Sequence, residues 1–187
     1  TFDFSYFVTV MKGIKRILLI GGPGSGKTTL IKYIESQGLL VHHEISREVI
    51  KEAQEKGIDQ LFLTDPMAFS NNLLAGRIAQ FKNAINGLNF YDRGIPDVPA
   101  YHLFTGDPIP AEYITACQEH EYDMVFYLPP WKEIYESDNE RYETFEQAVQ
   151  ISDILINYYR KFNYNPIEIP VGAIEERFTF LNNQIKD

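Results

Sequence analysis

The sequence predicts an α/β fold in which helices cover both faces of a parallel β-sheet. Short apolar runs alternate with longer segments of helical periodicity along the chain, a pattern typical of strand–helix–strand units. The apolar runs are nearly continuous rather than alternating, as expected for strands that are buried on both faces. Neither an internal repeat nor a linker interrupts the pattern. We therefore expect residues 11–187 to form a single domain, with residues 1–10 as an N-terminal appendage or extension.

The first two predicted strands are each followed by a helix with a clear end. Ile14–Ile20 (IKRILLI) predicts a strand, and residues 27–37 predict a helix that ends at Gly38. Residues 39–43 form the second predicted strand, before a helix at residues 46–56. The chain thus begins with the alternation that parallel strands require, because each crossover needs a connecting segment.

The rest of the chain continues this alternation. Asp65 and Pro66 are a typical helix start, with the Asp as N-cap and the Pro in the first turn, and this helix extends to about residue 84. The other predicted elements are strands at residues 88–91, 124–128 and 167–169 and helices at residues 110–120, 144–162 and 174–185. The polar segment 131–143 lies between a strand and a long helix, which suggests a mobile lid.

Composition and charge exclude several classes of protein. The 187 residues carry a net charge of −9, which argues against broad nucleic-acid binding because that needs a basic surface. No apolar run approaches the ~20 residues of a membrane span, and residues 1–10 lack the basic start and cleavage site of a signal peptide. Cys117 is the single cysteine, so no intrachain disulfide forms, which fits a reducing compartment. We expect a cytoplasmic protein and leave its oligomeric state open.

The stretch GGPGSGKT, residues 21–28, fits the phosphate-binding pattern G-x-x-x-x-G-K-[ST] between a predicted strand and a predicted helix. Glycines allow successive backbone N–H groups to turn toward phosphate oxygens, and the helix N-terminus adds positive charge. Lys27 is expected to bind the terminal phosphates and Thr28 to ligate Mg²⁺. The predicted nucleotide-binding residues are Gly21, Gly22, Pro23, Gly24, Ser25, Gly26, Lys27, Thr28 and Thr29.

Charged residues follow two other predicted strands. Glu44 comes after the second strand, and Asp92 and Arg93 come after the third. Because ligands gather at the carboxyl ends of parallel strands, we expect these residues to converge with the phosphate loop. No strand ends in an acidic pair of the Walker B type, so Asp92 is the predicted second ligand for Mg²⁺, and Arg93 would meet a phosphate or the acceptor. The alternatives are a salt bridge that closes the third strand and a surface pair between Glu44 and Arg47.

Four stretches in this order, GGPGSGKTTL, HEISREVI, FYDRGIPDVPAY and DNERYETFEQA, resemble the NadR-like AAA family of small P-loop ATPases. That family is similar to the ribosylnicotinamide kinase domain of NadR and to nucleoside and nucleotide kinases. The resemblance implies the kinase-like P-loop fold, a five-stranded parallel sheet in the order 2-3-1-4-5. It also implies that Glu44 takes the proton of an acceptor hydroxyl as a general base.

Two arginines later in the chain are further candidates. Arg141 lies in the lid-like segment and would close over the phosphates and stabilise the transferring charge; the alternative is a solvated charged helix face. In kinase-like folds the loop at residues 170–173 lies near the adenine. Arg177 could stack there, but the default expectation is an exposed helix arginine.

The sequence is consistent with two functions. The first is a kinase that moves the γ-phosphoryl group of ATP to a nucleoside-like acceptor with Mg²⁺ as cofactor. Its catalytic residues would be Lys27, Glu44, Asp92, Arg93 and Arg141, with Glu44 or Asp92 as the base. The second is a regulatory ATPase or nucleotide-binding switch with a protein or lipid partner. The chain has no N-K-x-D guanine-reading motif, which favours ATP over GTP. The identity of the acceptor stays open.

Overall fold

The fold is built on a five-stranded parallel sheet. The structure is a computed structural model that describes residues 13–135 and 144–186. The strands are β1 (Ile14–Ile20), β2 (Leu40–His42), β3 (Gly87–Asp92), β4 (Met124–Tyr127) and β5 (Ile167–Glu168). Their order in the sheet is β2-β3-β1-β4-β5, and each neighbouring pair is parallel. The predicted fold class and strand order are therefore confirmed.

Eight α-helices connect the strands within the described residues. They are α1 (Lys27–Ser36), α2 (Ser46–Glu55), α3 (Leu61–Thr64), α4 (Pro66–Lys82), α5 (Asp97–Thr105), α6 (Ala111–Glu119), α7 (Phe145–Lys161) and α8 (Ile174–Lys186). The six helices expected from the sequence are all present, with ends within two residues of the predicted ones.

Helices α3 and α5 were not predicted. With four residues, α3 is too short to display a helical period. Helix α5 contains Pro99, which suggests a helix breaker when only the sequence is considered. Pro99 is the third residue of the helix, where a backbone N–H has no acceptor within the helix and its absence costs little.

The sheet is buried between two apolar cores. Ile17, Leu18, Leu19 and Ile20 of β1 are all 0 % exposed, and successive side chains of a strand point to opposite faces. Leu18 and Ile20 pack in a first core with residues of α4, α5, α6 and α7. Ile17 and Leu19 pack in a second core with residues of α1 and α8. This two-sided burial explains why the strand is a continuous apolar run.

The parallel strands bring four chain segments to one edge of the sheet. The phosphate loop follows β1, Glu44 comes shortly after β2, Asp92 ends β3, and Trp131 comes shortly after β4. Because all strands run in the same direction, their carboxyl ends form a common crevice. The candidate site lies there.

Two further predictions concern the ends of the fold. None of the helices at 13–135 and 144–186 combines the length and apolar character needed to cross a membrane. Residues 1–10, predicted to be an appendage, lie outside the described residues, and the predicted domain limits stay a prediction.

Candidate functional site

The phosphate loop, residues 21–26, joins the end of β1 to the start of α1. Gly24 and Gly26 have φ angles of 70° and 73°, a left-handed conformation that residues with a Cβ rarely adopt. Helix α1 has no acidic residue in its first turn, so no side-chain carboxylate competes there for its free N–H groups. The Ser25 hydroxyl oxygen is buried and has no hydrogen-bond partner in the part of the chain that the structure describes. These features fit an anion site for phosphate.

Lys27 and Asp92 form a buried ion pair between α1 and the end of β3. The Lys27 and Asp92 side chains are only 8 % and 7 % exposed. An unpaired buried charge is costly, and pairing lets each of these two charges offset the cost of burying the other. Thr28 and Thr29 are exposed in the first turn of α1. Two predicted site residues, distant in sequence, are thus adjacent at the base of the phosphate loop.

Four donors surround the Glu44 carboxylate beside β2. Arg93 Nε donates to Oε2 at 2.6 Å, and Arg77 Nη2 donates to Oε1 at 3.2 Å. The backbone N–H groups of Ile45 and Ser46 also donate to Oε1, at 3.1 and 3.2 Å. Glu44 is therefore bound to Arg93, in the segment after β3, and to Arg77 of α4. The predicted alternative of a mere surface pair with Arg47 does not describe these contacts.

The electrostatic surroundings keep Glu44 ionised. Burial by itself would raise the pKa of the Glu44 carboxyl group, but the positive charges of Arg77, Arg93 and Lys27 outweigh burial and lower the pKa to about 2. Burial by itself would lower the pKa of Arg93, but the negative charge of the Glu44 carboxylate outweighs burial and raises the pKa. At neutral pH the pair is fully charged.

The turn that follows β3 is held by a network of buried groups. Arg93 has a φ of 73°, which is strained for a residue other than glycine. Asp97 accepts from the Gly94 N–H at 2.9 Å, from the Tyr159 hydroxyl at 2.5 Å and from Arg93 Nη1 at 3.4 Å. Arg77 Nη1 donates to the Gly94 carbonyl oxygen at 3.0 Å. These bonds hold the Arg93 side chain beside Glu44.

Arg77 and Tyr159 were not among the site residues predicted from the sequence. Arg77 is 5 % exposed, and it is the only charged residue in the stretch 66–81. An isolated charge in an uncharged helix is a signal that points to a buried partner, because such a charge is rarely buried unpaired. Tyr159 carries no comparable signal, since tyrosines are common in apolar helix faces.

Arg177 of α8 lies beneath the phosphate loop. It is 3 % exposed, and its Nη2 and Nη1 atoms donate to the carbonyl oxygens of Ser25 at 3.2 Å and Gly26 at 3.4 Å. Its guanidinium carbon is 5.7 Å from the centre of the Trp131 ring. The expectation of an exposed arginine is wrong, because α8 packs against α1 with the Arg177 side chain on its buried side.

The segment after β4 covers the outer side of the loop. The Tyr135 ring lies so close to Gly24 that a Cβ there would collide with it, and Ile134 lies close to Gly26. The Tyr135 ring also packs edge-on against Phe145. The rest of the predicted lid, residues 136–143 with Arg141, lies outside the described residues.

The oxygen atoms at the phosphate loop suit a metal ion that takes few ligands from the protein. The described residues contain no cluster of three or more His, Cys, Asp or Glu side chains that could hold a metal ion. Mg²⁺ takes only one or two protein ligands and completes its shell with water and phosphate oxygens. The Asp92 carboxylate and the Thr28 hydroxyl are oxygen ligands of the right kind, so the residues fit such an ion.

Comparison with known proteins identifies the family. The model of a family described as an AAA domain matches residues 16–177. The chain belongs to this AAA domain family. No curated protein sequence matches the chain significantly. The narrower resemblance to NadR stays a prediction.

Solved structures show the same fold for this AAA domain protein. Deoxyadenosine kinase from M. mycoides, with the products dCMP and dCDP bound, has a TM-score of 0.62 and 15 % identity over 91 % of this chain and 98 % of its own. The same enzyme with dATP has a TM-score of 0.60 and 14 % identity over 92 % and 100 % of the two chains. Thymidylate kinase from Candida albicans has a TM-score of 0.67 and 18 % identity over 95 % and 93 %. At these identities the likeness establishes a kinase-like P-loop fold.

Proposed function

We propose that this protein is a Mg²⁺-dependent kinase that transfers the γ-phosphoryl group of ATP to a hydroxyl group of a small nucleoside-like acceptor. The supporting observation is a second charged cluster, Glu44 with Arg77 and Arg93, at the same sheet edge as the phosphate loop. Binding or hydrolysing a nucleotide needs little beyond the loop, Lys27 and a metal ligand. A carboxylate that two arginines hold in place near the ends of β2 and β3 is suited to bind a second substrate.

The nucleotide side of the proposed site consists of the residues from Gly21 to Thr29. The backbone N–H groups of the loop would bind the phosphates, and Lys27 would leave Asp92 to neutralise the terminal phosphates. Thr28 and Asp92 would hold Mg²⁺, which when bound neutralises the charge on the phosphate oxygens. The buried ion pair keeps Lys27 and Asp92 in place until then.

On the acceptor side, Glu44 orients the hydroxyl group that receives the phosphoryl group. The hydroxyl oxygen bonds to the γ-phosphorus, the bond to the bridging oxygen of the β-phosphate breaks, ADP leaves, and the hydroxyl proton passes to Glu44. A carboxyl group whose pKa is about 2 is a weak base. A weak base is sufficient when the transition state is loose, because the acceptor hydroxyl then loses its proton late. Arg93 stabilises the transferring charge, and we assign the same role to Arg141 of the lid segment.

The charges of the acceptor side favour an acceptor without a phosphate. Arg77 pairs with Glu44, and Arg93 pairs with both Glu44 and Asp97. The two carboxylates balance the two guanidinium charges, so this cluster offers no net positive charge to a phosphate group on the acceptor. We therefore expect a nucleoside rather than a nucleoside monophosphate as the acceptor.

The experiment is an assay of ADP release by the purified protein with ATP and Mg²⁺. Release is compared without an acceptor, with nucleosides that include ribosylnicotinamide and deoxyadenosine, and with the matching monophosphates. We expect release that depends on a nucleoside and yields its 5′-phosphate. Steady hydrolysis that no acceptor changes, or tight nucleotide binding without turnover, would instead support a regulatory ATPase or switch with a protein or lipid partner.

A pair of lysine variants controls this assay. Lys27→Ala removes the buried charge at the loop, and we expect nucleotide binding and turnover to fall strongly. Lys15→Ala removes a lysine whose ion pair with Asp123, at 3.2 Å, is on the surface, with the Lys15 side chain 47 % exposed; we expect it to behave like the wild type. Unchanged binding and turnover in Lys27→Ala would contradict the phosphate-loop assignment.

A further inference from the structure

Arg177 is a buried cation that has no carboxylate partner among residues 13–135 and 144–186. Arg77, the other buried arginine of the described residues, and the partly buried Arg93 both pair with Glu44. Arg177 Nε also has no hydrogen-bond partner in the described part of the chain. Burial lowers the pKa of Arg177, which reflects the cost of placing this charge where water cannot reach it.

The position of Arg177 in α8 adds to that cost. The residue lies in the first turn of the helix, where the helix dipole disfavours a positive charge. Its only described polar contacts are the carbonyl oxygens of Ser25 and Gly26 in the phosphate loop. A Cβ on Gly26 would lie 2.8 Å from Arg177 Nη1, so Gly26 also leaves room for the guanidinium group.

These two hydrogen bonds bear on the direction of two N–H groups. The Gly26 carbonyl oxygen also accepts from the Leu30 N–H of α1 at 3.2 Å, so Arg177 shares control of that peptide unit with the helix. In a planar trans peptide the C=O and N–H bonds point in opposite directions. The Ser25 carbonyl belongs to the same peptide unit as the Gly26 N–H, and the Gly26 carbonyl to the same unit as the Lys27 N–H. Holding both carbonyl oxygens toward Arg177 therefore turns both N–H groups away from it, toward the opposite side of the loop.

We propose that Arg177 is a positioning residue for phosphate binding. It orients the Gly26 N–H group and, together with α1, the Lys27 N–H group toward the phosphates. Its charge, unpaired by any described carboxylate, favours an anion on the other side of the loop. A bound phosphate supplies the negative charge that the described surroundings of Arg177 lack. This inference rests on the nucleotide-binding part of the proposed function and is independent of the acceptor.

The test compares dissociation constants for ADP and for inorganic tripolyphosphate, a ligand with no base or sugar. In Arg177→Gln we expect both affinities to fall by about tenfold or more and by the same factor, since the effect acts at the phosphates. Arg177→Lys keeps the charge but loses the planar pair of donors, so its affinities should lie between those of the wild type and Arg177→Gln. If Arg177→Gln does not fold, the Lys variant decides.

Arg16→Gln is the matched control. Arg16 also donates to a carbonyl oxygen, that of Phe81, and its guanidinium carbon is 4.0 Å from the centre of the Phe81 ring. Its interactions resemble those of Arg177 but lie away from the loop, so we expect wild-type affinities for both ligands.

Three results would overturn the inference. The first is ADP and tripolyphosphate binding within about twofold of the wild type in both Arg177 variants. The second is a loss for ADP without a loss for tripolyphosphate, which would assign Arg177 to the base. The third is wild-type protein that binds neither ligand, and that result alone would also remove the nucleotide-binding proposal.

Discussion

Glu44 illustrates how single residues are tuned in this site. Its carboxylate accepts from two arginines and two backbone N–H groups, and its pKa is lowered to about 2 from an ordinary value of 4.5. A lowered carboxyl pKa means that the folded state holds the ionised form more strongly than the unfolded state does. The resulting stability is fully present above pH 4.5 and is lost as the pH falls through about 2.

We therefore predict different acid sensitivities for the wild type and Glu44→Gln. Between pH 5.5 and pH 3 the free energy of unfolding of the wild type should fall by about 2 kcal/mol more than that of the variant. The variant has no carboxyl group to protonate at this position. Urea unfolding at a series of pH values measures the difference, and parallel pH profiles for the two proteins would contradict it. At pH 7 the variant should be less stable, because Arg77 and Arg93 lose a charged partner.

At the scale of elements, helix α7 follows the predicted lid segment in the sequence, and its far end contacts the turn after β3. A capping box of Thr144 and Gln147 begins the helix. Near its other end, the Tyr159 hydroxyl donates to Asp97 at 2.5 Å. Burial, together with the nearby Asp97 carboxylate, raises the pKa of Tyr159, so the hydroxyl stays protonated and remains a donor. Helix α7 thus supports the turn that holds Arg93 beside Glu44.

We predict that Tyr159→Phe loses about 1–3 kcal/mol of stability, because Asp97 is left buried with one donor fewer. Nucleotide affinity should be unchanged, while the KM for the acceptor should rise. Tyr158→Phe is the matched control: Tyr158 is also buried, and its hydroxyl has no partner within the described residues. Urea unfolding and acceptor kinetics measure these effects. Equal stability losses in the two variants would show that the Asp97 hydrogen bond contributes nothing.

At the scale of the whole molecule, the sheet separates two cores. Ile34 of α1 lies in the second core and is 0 % exposed, whereas Ile151 of α7 lies in the first core and is 2 % exposed. The strands lie between them, so neither side chain helps to pack the other. The stability of the molecule should then depend on the two cores separately.

A double-mutant cycle tests this separation. Ile34→Val and Ile151→Val should each cost about 0.5–1.5 kcal/mol. Their combination should equal the sum within about 0.5 kcal/mol, because the sites share no contacts. Urea unfolding of the four proteins gives the coupling energy. A larger coupling of either sign would mean that packing changes in one core reach the other through the sheet.

Local sequence patterns were sufficient to predict most of the secondary structure. The apolar run of β1, the glycine pattern of the phosphate loop and the Asp65 cap of α4 are each local signals. Asp65 indeed accepts from the Ala68 N–H at 2.9 Å. The strand order came from the family resemblance rather than from these patterns, since periodicity does not indicate which strands are neighbours.

The fold class, the phosphate loop and the candidates Lys27, Glu44, Asp92 and Arg93 could be predicted from the sequence, because charged residues at the carboxyl ends of parallel strands lie along one edge of any such sheet. Only the tertiary structure decided which side chains meet them. The bond from Tyr159 to Asp97 spans 62 positions, and the bond from Arg177 to the Gly26 carbonyl spans 151. Such contacts follow from how helices pack on the sheet, and packing depends on the whole set of buried side chains rather than on any local pattern.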